Sequence, residues 1–372
     1  MIVNKLENNA SVEALYKLNL GYSLSTVEAQ NALKCILCEE NTQKRINIMT
    51  SLLTGIMVKG PTVDEVCGLL NAALEMDEQL TKPKKKLDLP CERVVVGVAS
   101  SGKKGVKTIN ITSGACFIAA ACGVDIVKAC SHATSSKTGS SDFLSICGFN
   151  IGIPFEKKRE LQQKFHISFF SIEDTTPKFA DVYKSTFYVP HAMSFALAGL
   201  SFPVEIDALA YGLSHPNVRL SAEVLKRFHI HNAMIYSSTL DGIHYMDELF
   251  PTKRVNVSLI KNGQISDMED LEYSRFFSDS DIADLLESEG KLTNVIRTLH
   301  VIKGDGIENQ VDVLCLNAAF FLFLARKVES IEAGYQIAKD SVRSGRAWSL
   351  FLDVLEEYGG NRDYIDKIMG LC

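Results

Sequence analysis

The feature that most constrains this fold is a repeated order of apolar strand, polar loop and helix. Arg93–Ala99 reads RVVVGVA, and Val124–Lys128 is a second short apolar run. Each run is followed by a glycine- or hydroxyl-rich loop and then by a helical pattern, over Thr112–Cys122 and near Thr138–Cys147. This order predicts a parallel sheet whose strands are joined by right-handed crossovers.

Later segments extend the sheet and close the chain with helices. Three further strands are predicted at Ala208–Gly212, Ala233–Ser237 and Arg254–Ile260, and three helices at Val311–Arg326, Ser330–Ser344 and Ala347–Tyr358. Residues 157–200 are predicted as helix and loop without a strand. We therefore predict an α/β protein with a helical N-terminal domain and a larger α/β domain with a mainly parallel central sheet.

The N-terminal part of the chain has a helical pattern over residues 11–77. Ser25 and Glu28 have the spacing of a capping box, and so do Thr62 and Glu65. A lysine-rich segment, TKPKKKLD, follows and predicts a solvated hinge. The predicted domains are residues 1–80, joined by about 165–200; a linker over 81–90; and an α/β domain over 91–372.

Two loops have the composition of phosphate-binding segments. The first is ASSGKKGVKTINITS, in which Gly102 and Gly105 allow close approach of the backbone to a ligand. The second is KACSHATSSKTGSSD, which again leads into a helix. Ligands of open parallel sheets bind at the carboxyl ends of the strands, and helix N-termini attract anions. Two such loops in successive strand–helix units therefore predict a phosphate site.

A third polar segment, DGIHYMDE, follows the strand predicted at Ala233–Ser237. Adjacent carboxylates after a strand are able to hold Mg²⁺, which prefers oxygen ligands. The same residues are also typical of an acidic turn on the surface, so the sequence alone leaves both interpretations open.

Composition limits the class of protein. A net charge of −6 disfavours a general nucleic-acid binder. No run of 18 apolar residues and no signal peptide is present, so we expect no membrane span and a cytoplasmic location. Most of the ten cysteines lie among apolar residues, as expected in a reducing compartment. The lone CxxC of Cys35 and Cys38 favours packing over redox or metal use.

Seven segments of sequence, in four groups, carry a resemblance to a known family. They are ALYKLNLGYSLSTVEAQNAL with MVKGPTVDEVCGLLNAAL, GVKTINITSGACFIAAACGVDIVK with SSKTGSSD, MDE followed by VSLIKNGQI, and NAAFFLFLARKVESIEAGYQIAKDSVRSGRAW. In this order, over nearly the whole chain, they resemble the anthranilate phosphoribosyltransferase family, which is similar in fold to pyrimidine nucleoside phosphorylases. The resemblance implies a pentosyltransferase that binds phosphoribosyl diphosphate with Mg²⁺ and transfers the sugar to a small-molecule acceptor.

The resemblance also implies site residues, although it assigns no catalytic residue. Those implied to bind phosphoribosyl diphosphate are Ser100, Gly102, Lys103, Lys104, Thr108, Asn110, Thr112, Ser113, Lys128, Ser131, Ser135, Ser136 and Ser140. Those implied to hold the metal are Thr112, Asp247 and Glu248. The residues expected on the acceptor side are Ser131, His132 and His191.

A homodimer through the N-terminal helices is implied as well. The apolar residues Leu33, Ile36 and Leu37, beside a second cluster over Ile48–Met57, are the predicted contact face.

Three departures from the family pattern bear on function. The family's GTGGD reads SSGKK here, so a glycine and an aspartate are replaced by Lys103 and Lys104. The family's KHGNR reads KACSH, and no arginine occurs in the segment Glu160–Val218, where the family places its anthranilate-binding arginine. We expect the two lysines to supply part of the positive charge that the metal supplies in relatives.

These departures leave three functions open. The first is a phosphoribosyltransferase with an aromatic or heterocyclic acceptor other than anthranilate. The second is a non-catalytic relative that binds a phosphorylated ligand or partner, which loss of GTGGD favours. The third is a nucleoside phosphorylase-like enzyme, which the retained Asp247 and Glu248 disfavour because phosphorolysis does not need that metal pair.

Overall fold

One mixed sheet of eight strands organises the fold. The computed structural model describes residues 9–132, 137–184, 187–250, 252, 254–268, 276 and 282–370. The strands are β1 (Val95–Ser100), β2 (Asp125–Cys130), β3 (Ile167–Ser171), β4 (Ala208–Gly212), β5 (Ala233–Thr239), β6 (Tyr245–Met246), β7 (Val255–Lys261) and β8 (Gln264–Met268). Their order is β3-β2-β1-β4-β5-β7-β8, with β6 paired to β5.

The sheet is parallel on one side and antiparallel on the other. Strands β3, β2, β1, β4 and β5 pair in parallel, whereas β6, β7 and β8 join by antiparallel pairing. The predicted α/β class with a mainly parallel sheet is confirmed. Because β1 and β4 are central, the loops that follow them meet at the middle of the carboxyl edge.

Sixteen helices surround this sheet in the described residues. The first eight are α1 (Ala10–Asn19), α2 (Thr26–Leu37), α3 (Thr42–Lys59), α4 (Val63–Glu75), α5 (Ile111–Ala121), α6 (Ser140–Cys147), α7 (Phe155–Phe165) and α8 (Ile172–Thr175). The others are α9 (Pro177–Tyr183), α10 (Leu197–Leu200), α11 (Val218–Arg227), α12 (Lys291–Lys303), α13 (Glu308–Leu324), α14 (Ile331–Arg343), α15 (Arg346–Glu357) and α16 (Arg362–Met369).

Both faces of the sheet are buried, in two separate cores. Val96 and Val98 belong to the core that includes α5, α13 and α15, whereas Val95 and Ala99 belong to the core shared with the N-terminal helices. This alternation follows from the two-residue period of a strand. The continuous apolar run of β1 therefore indicates a strand covered on both sides.

The N-terminal helices begin where their capping boxes were predicted. The Ser25 N–H donates to Glu28 Oε2 at 2.9 Å, and the Glu28 N–H donates to Ser25 Oγ at 3.3 Å. Thr62 and Glu65 make the same reciprocal pair at the start of α4. Both sequence predictions of these helix starts are confirmed.

Several elements differ from the predictions. Strand β3 lies within 157–200, where we expected no strand, and the short strands β6 and β8 were not predicted. From α8 to α10, the chain does pack into the core of the N-terminal helices, through residues such as Phe179 and Phe195. The division into domains stays a prediction.

The predicted dimer face is wrong in its residues. Leu33, Ile36 and Leu37 are at most 7% exposed, because α2 packs against α4 inside the same chain. Leu52 and Leu53 in the second cluster are buried there too. The apolar stripe of an amphipathic helix has an intramolecular partner here, so it no longer argues for an interface.

In the described part of the chain, no single helix has the length and apolar character to cross a membrane; by those two measures only the bent pair α12 and α13 qualifies.

Candidate functional site

The loop after β1 is fixed by three hydrogen bonds that its backbone N–H groups donate. The N–H of Ser101 donates to Gly212 O at 2.8 Å, and that of Gly105 donates to Tyr245 O at 2.7 Å. Between them, the N–H of Gly102 donates to Asp247 Oδ2 at 2.9 Å. Added to Gly105, a Cβ would lie 2.7 Å from a main-chain atom of His244, so this position requires glycine.

The same loop has an unusual backbone at its tip. Gly102 and Lys103 have φ values of +64° and +56°. A side chain in this left-handed region costs about 1 kcal/mol relative to glycine. Lys103 therefore has a backbone conformation that favours glycine, which is the residue that the family pattern has at this position.

Asp247 and Glu248 are buried at the end of the acidic segment, although residues 241–244 at its start are exposed. Asp247 and Glu248 are each 3% exposed, so the two carboxylates are not part of a surface turn. The segment lies against β4 so closely that a Cβ on Gly212 would come within 1.9 Å of Asp247 O. The Ser238 hydroxyl on β5 donates to Glu248 O at 2.6 Å. Two strands thus position the pair of carboxylates.

Lys104 contacts this pair directly. Its Nζ lies 2.6 Å from Glu248 Oε1 and 2.5 Å from Thr108 Oγ1, and its side chain is 12% exposed. Burial lowers the pKa of Lys104, but the negative charges of Glu248 and Asp247 outweigh burial and raise it overall. Burial raises the pKa of Glu248 to about 7, against the opposing attraction of Lys104. The ammonium of Lys104 is therefore firmly charged at neutral pH.

Lys103, next to it, is held less firmly as a cation. Burial lowers the pKa of Lys103 to about 8, while Asp247 acts in the opposite direction. Its Nζ lies 6.0 Å from the ring centre of Tyr183. The two adjacent lysines therefore face different surroundings.

A polar cavity of about 110 Å³ lies where the loops after β1 and β2 meet. It is bounded by the residues that begin α5 and α6, whose first N–H groups favour anions. Asn110 Oδ1, Thr112 Oγ1 and Glu248 Oε2 are buried without a hydrogen-bond partner among the described residues. Buried polar atoms are nearly always paired in folded proteins, so these atoms point to a missing ligand. The Thr112 hydroxyl is able to donate to an anion, whereas Asn110 Oδ1 and Glu248 Oε2 accept and require a donor or a cation.

Most of the predicted diphosphate residues line this cavity. They are Ser100, Gly102, Lys103, Lys104, Asn110, Thr112, Ser113, Lys128, Ser131 and Ser140. Thr108 does not line it and acts through Lys104 instead. Ser135 and Ser136 lie outside the described residues. Binding of a diphosphate by this set stays a prediction.

A second, larger cavity of about 520 Å³ adjoins the first. The walls that the two cavities share are Ser100, Gly102, Lys103, Ser131, His132 and Ile172. The three residues predicted on the acceptor side, Ser131, His132 and His191, all line the larger cavity. Their association with one cavity next to the polar site agrees with that expectation, and an acceptor role stays a prediction.

His191 is the most constrained polar group of the larger cavity. It is 4% exposed, its Nε2 hydrogen-bonds to the hydroxyl of Tyr183, and its Nδ1 is buried without a partner among the described residues. Burial, with a smaller effect of Lys103, holds the pKa of His191 well below its ordinary value, so the ring is neutral at physiological pH. Neutral imidazole has one donor and one acceptor nitrogen. His191 thus offers one hydrogen bond to a ligand.

Tyr183 and Glu173 also line the larger cavity, and sequence reasoning missed both. Tyr183 ends α9, in a helix–loop segment with no motif of its own. Its only sequence signal was aromatic character, which equally describes core residues such as Phe195 and Phe202.

The ammonium of Lys104 occupies one of the carboxylate oxygens predicted to bind the metal. Asp247 and Glu248 offer the carboxylate oxygens that Mg²⁺ prefers. However, Glu248 Oε1 already binds Lys104, and Asp247 Oδ2 already accepts from Gly102. No group of three or more His, Cys, Asp or Glu side chains able to hold a metal occurs among the described residues. The carboxylates, as arranged here, do not fit a metal of their own, and ligation by Thr112, Asp247 and Glu248 stays a prediction.

Comparison with known proteins decides the family. The model of the family described as "Glycosyl transferase family, a/b domain" matches residues 92–348. The chain belongs to this family.

Similar proteins include the anthranilate phosphoribosyltransferases of Caldanaerobacter subterraneus subsp. tengcongensis and Methanocorpusculum labreanum, each 29% identical. The matches cover 92% and 94% of this chain and 97% and 99% of those proteins. The resemblance to anthranilate phosphoribosyltransferases, and with it the pentosyltransferase class, is confirmed.

Solved structures confirm the fold. Anthranilate phosphoribosyltransferase from Thermus thermophilus has a TM-score of 0.73 and 22% identity, covering 93% of this chain and 99% of that one. The enzyme from Saccharomyces cerevisiae, in complex with PRPP and Mg, also has a TM-score of 0.73 at 19% identity, covering 94% and 98%. Phosphoribosyl diphosphate and Mg²⁺ are therefore found together in a protein of this fold.

Proposed function

We propose that this protein is a phosphoribosyltransferase that uses phosphoribosyl diphosphate and an aromatic or heterocyclic acceptor other than anthranilate. The observation that carries the proposal is the pair of adjoining cavities. One is polar, with two helix N-termini and the unpartnered hydroxyl of Thr112, and the other is larger and partly aromatic. Diphosphate fits the first, and a flat acceptor fits the second, with the sugar between them.

Catalysis at such a site consists of positioning the two substrates and stabilising the charge that develops as they react. The departing diphosphate gains negative charge as the bond to the sugar breaks, and preorganised donors stabilise that charge most effectively. The starts of α5 and α6 supply backbone N–H groups, and Lys103, Lys104 and Lys128 supply cations at the same cavity. We propose that Mg²⁺ enters as the counter-ion carried by the diphosphate, since the yeast enzyme is found in complex with both PRPP and Mg.

The acceptor cavity disfavours a carboxylate-bearing ring. No arginine is among its described lining residues, whose cations are Lys103 and Lys184. A lysine is a point charge without the planar fork with which arginine pairs a carboxylate bidentately. Neutral His191, with its free Nδ1, suits a single hydrogen bond to a neutral ring. Leaving a carboxylate poorly paired in such a cavity costs several kcal/mol, or about three decades in rate.

A matched pair of acceptors tests the proposal. Release of diphosphate from phosphoribosyl diphosphate with Mg²⁺ is followed with anthranilate and with 2-aminobenzamide, which differs only in having a neutral carboxamide. We expect the neutral ring, or another neutral member of an aromatic amine and heterocycle panel, to react faster. Anthranilate turnover of ~1 s⁻¹ or more, the low end of ordinary enzymes, contradicts the proposed acceptor class.

A non-catalytic relative that binds a phosphorylated ligand is the second candidate. The observation that favours it is the ion pair of Lys104 and Glu248. The family pattern has an aspartate at the position of Lys104, so this ion pair does not form in that pattern. Here it engages a carboxylate that the metal was predicted to bind. Binding of phosphoribosyl diphosphate without release of diphosphate for any acceptor in the panel supports this candidate over the first.

We also propose a homodimer through α1, α2 and α3, with a contact face that differs from the one predicted from the sequence. Large apolar side chains exposed on this end of the chain are Tyr16, Leu20, Tyr22, Val27 and Val58, between 58% and 83% exposed. Such a cluster is expected at an interface. Light scattering is expected to show a dimer that Val58→Asp weakens; a monomer at micromolar concentration contradicts the proposal.

A further inference from the structure

The side chain of Lys104 is directed at Thr108 and Glu248. Its loop is fixed on both sides, by the hydrogen bond from Gly102 to Asp247 and by the one from Gly105 to Tyr245. Between those anchors Lys104 Nζ lies 2.6 Å from Glu248 Oε1. Residues 104 and 248 are 144 positions apart in sequence, so the tertiary fold itself creates this contact.

An ammonium and a divalent metal compete for Glu248 Oε1 here. Mg²⁺ binds oxygen ligands at about 2.1 Å and requires nearly ideal octahedral geometry. A dication at Glu248 Oε1 would lie within a few Å of the Lys104 ammonium, where like charges repel strongly in a buried site. The remaining oxygen, Glu248 Oε2, is buried without a partner among the described residues.

The charges at this place already balance. Asp247 and Glu248 carry up to two negative charges, and Lys103 and Lys104 carry up to two positive charges. Glu287 and Lys107 also face Lys104 electrostatically, with opposite signs. A metal would therefore add two positive charges to a neutral cluster, and would do so without a third carboxylate within reach among the described residues.

We infer that Lys104 is the resident cation of this site, and that its ammonium takes the place of a divalent metal at Asp247 and Glu248. The protein then binds the diphosphate end of its ligand with its own lysine. Binding of diphosphate at this place rests on the function proposed above, whereas exclusion of the metal concerns the apo protein alone.

Metal binding by the apo protein is the first test. Mn²⁺, which shares the oxygen preference of Mg²⁺, is titrated into the full chain, and the free ion is measured by electron paramagnetic resonance. Lys104→Met frees Glu248, so we expect it to bind Mn²⁺ about tenfold or more tightly than the wild type, since each 1.4 kcal/mol is a factor of ten. Equal or tighter binding by the wild type overturns the inference.

A matched control separates this effect from the loss of any buried ion pair. Lys339 on α14 is 8% exposed, and its Nζ lies 2.7 Å from Asp312 Oδ1. Lys339→Met is expected to bind Mn²⁺ as the wild type does. If Lys104→Met does not fold, Glu248→Gln decides instead: unchanged Mn²⁺ affinity supports the inference, and a clear loss overturns it, because it makes Glu248 a metal ligand.

Calorimetry with inorganic diphosphate is the second test. In EDTA we expect the wild type to bind and Lys104→Met to lose about tenfold or more in affinity. Binding by the wild type that vanishes in EDTA, returns with Mg²⁺ and is lost in Glu248→Gln overturns the inference, because it makes Glu248 a ligand of that Mg²⁺. Absence of binding in both buffers refutes the diphosphate site and leaves the Mn²⁺ result to decide the occupant of the carboxylate pair.

Discussion

Gly212→Ala, at the end of β4, should disturb the site strongly although it adds only one methyl group. A Cβ there would lie 1.9 Å from Asp247 O and 3.0 Å from the Asp247 Cβ. Carbon and oxygen rarely approach closer than about 3 Å, so in Gly212→Ala the main chain at Asp247 has to retreat by roughly 1 Å. The strand and the acidic segment both belong to buried cores, so neither yields easily.

The expected cost has two parts. Overpacking of this kind typically destabilises a protein by about 1–3 kcal/mol. A displacement of about 1 Å also moves Asp247 away from the N–H of Gly102 and shifts Glu248 relative to Lys104. Misplacement on this scale reduces the rate of a positioned reaction by about a hundredfold. We therefore expect lower stability together with a large loss of diphosphate affinity and of any turnover.

Gly55 provides the matched control. It lies inside α3, and a Cβ there would meet Leu18 at 3.5 Å, an ordinary contact. Gly55→Ala should stabilise the protein by about 0.5–1 kcal/mol, since alanine is the better helix former. Urea unfolding and calorimetry with inorganic diphosphate measure both variants. Gly212→Ala with wild-type stability and affinity would refute the geometry described here.

Two further predictions concern buried polar groups. Lys104→Met should destabilise the protein more as pH rises: with Lys104 present the folded-state pKa of Glu248 is about 7, and loss of the ammonium raises it further, so the penalty for the variant is small below about pH 7 and grows above it. At full ionisation it reaches about 3–5 kcal/mol, and a difference in unfolding free energy that is the same at pH 5 and pH 8 would speak against an unpaired carboxylate. Tyr183→Phe removes the partner of His191 Nε2 and should cost about 1–3 kcal/mol in urea unfolding, whereas Tyr364→Phe on the surface should cost almost nothing.

Much of the fold was predictable because its strands are short, continuous apolar runs. Strand β4 was predicted at its observed bounds, and β1 and β5 nearly so. Strand β3 was missed because Ile167–Ser171 directly follows α7, separated only by His166, without a glycine or proline to mark the change of period. The dimer face failed for a different reason: a helical stripe shows that a face is buried but not which surface buries it.

The site was predictable in its loops and not in its contacts. Glycine and hydroxyl residues before α5 and α6 indicated the polar cavity, because helix starts after parallel strands meet at one edge. The ion pair of Lys104 and Glu248 depends on two loops meeting across the sheet, so local sequence reasoning does not reach it. Likewise, nothing in the sequence near Tyr183 indicated that its hydroxyl would meet His191.

A crystal structure of the protein with phosphoribosyl diphosphate and Mg²⁺ tests the central claim most directly. The diphosphate is expected between the starts of α5 and α6, within hydrogen-bond distance of Thr112 and Ser113, with Lys104 still on Glu248 and the sugar directed towards His191. Phosphoribosyl diphosphate bound elsewhere on the protein, or absent from this cavity at saturating concentration, would contradict the claim.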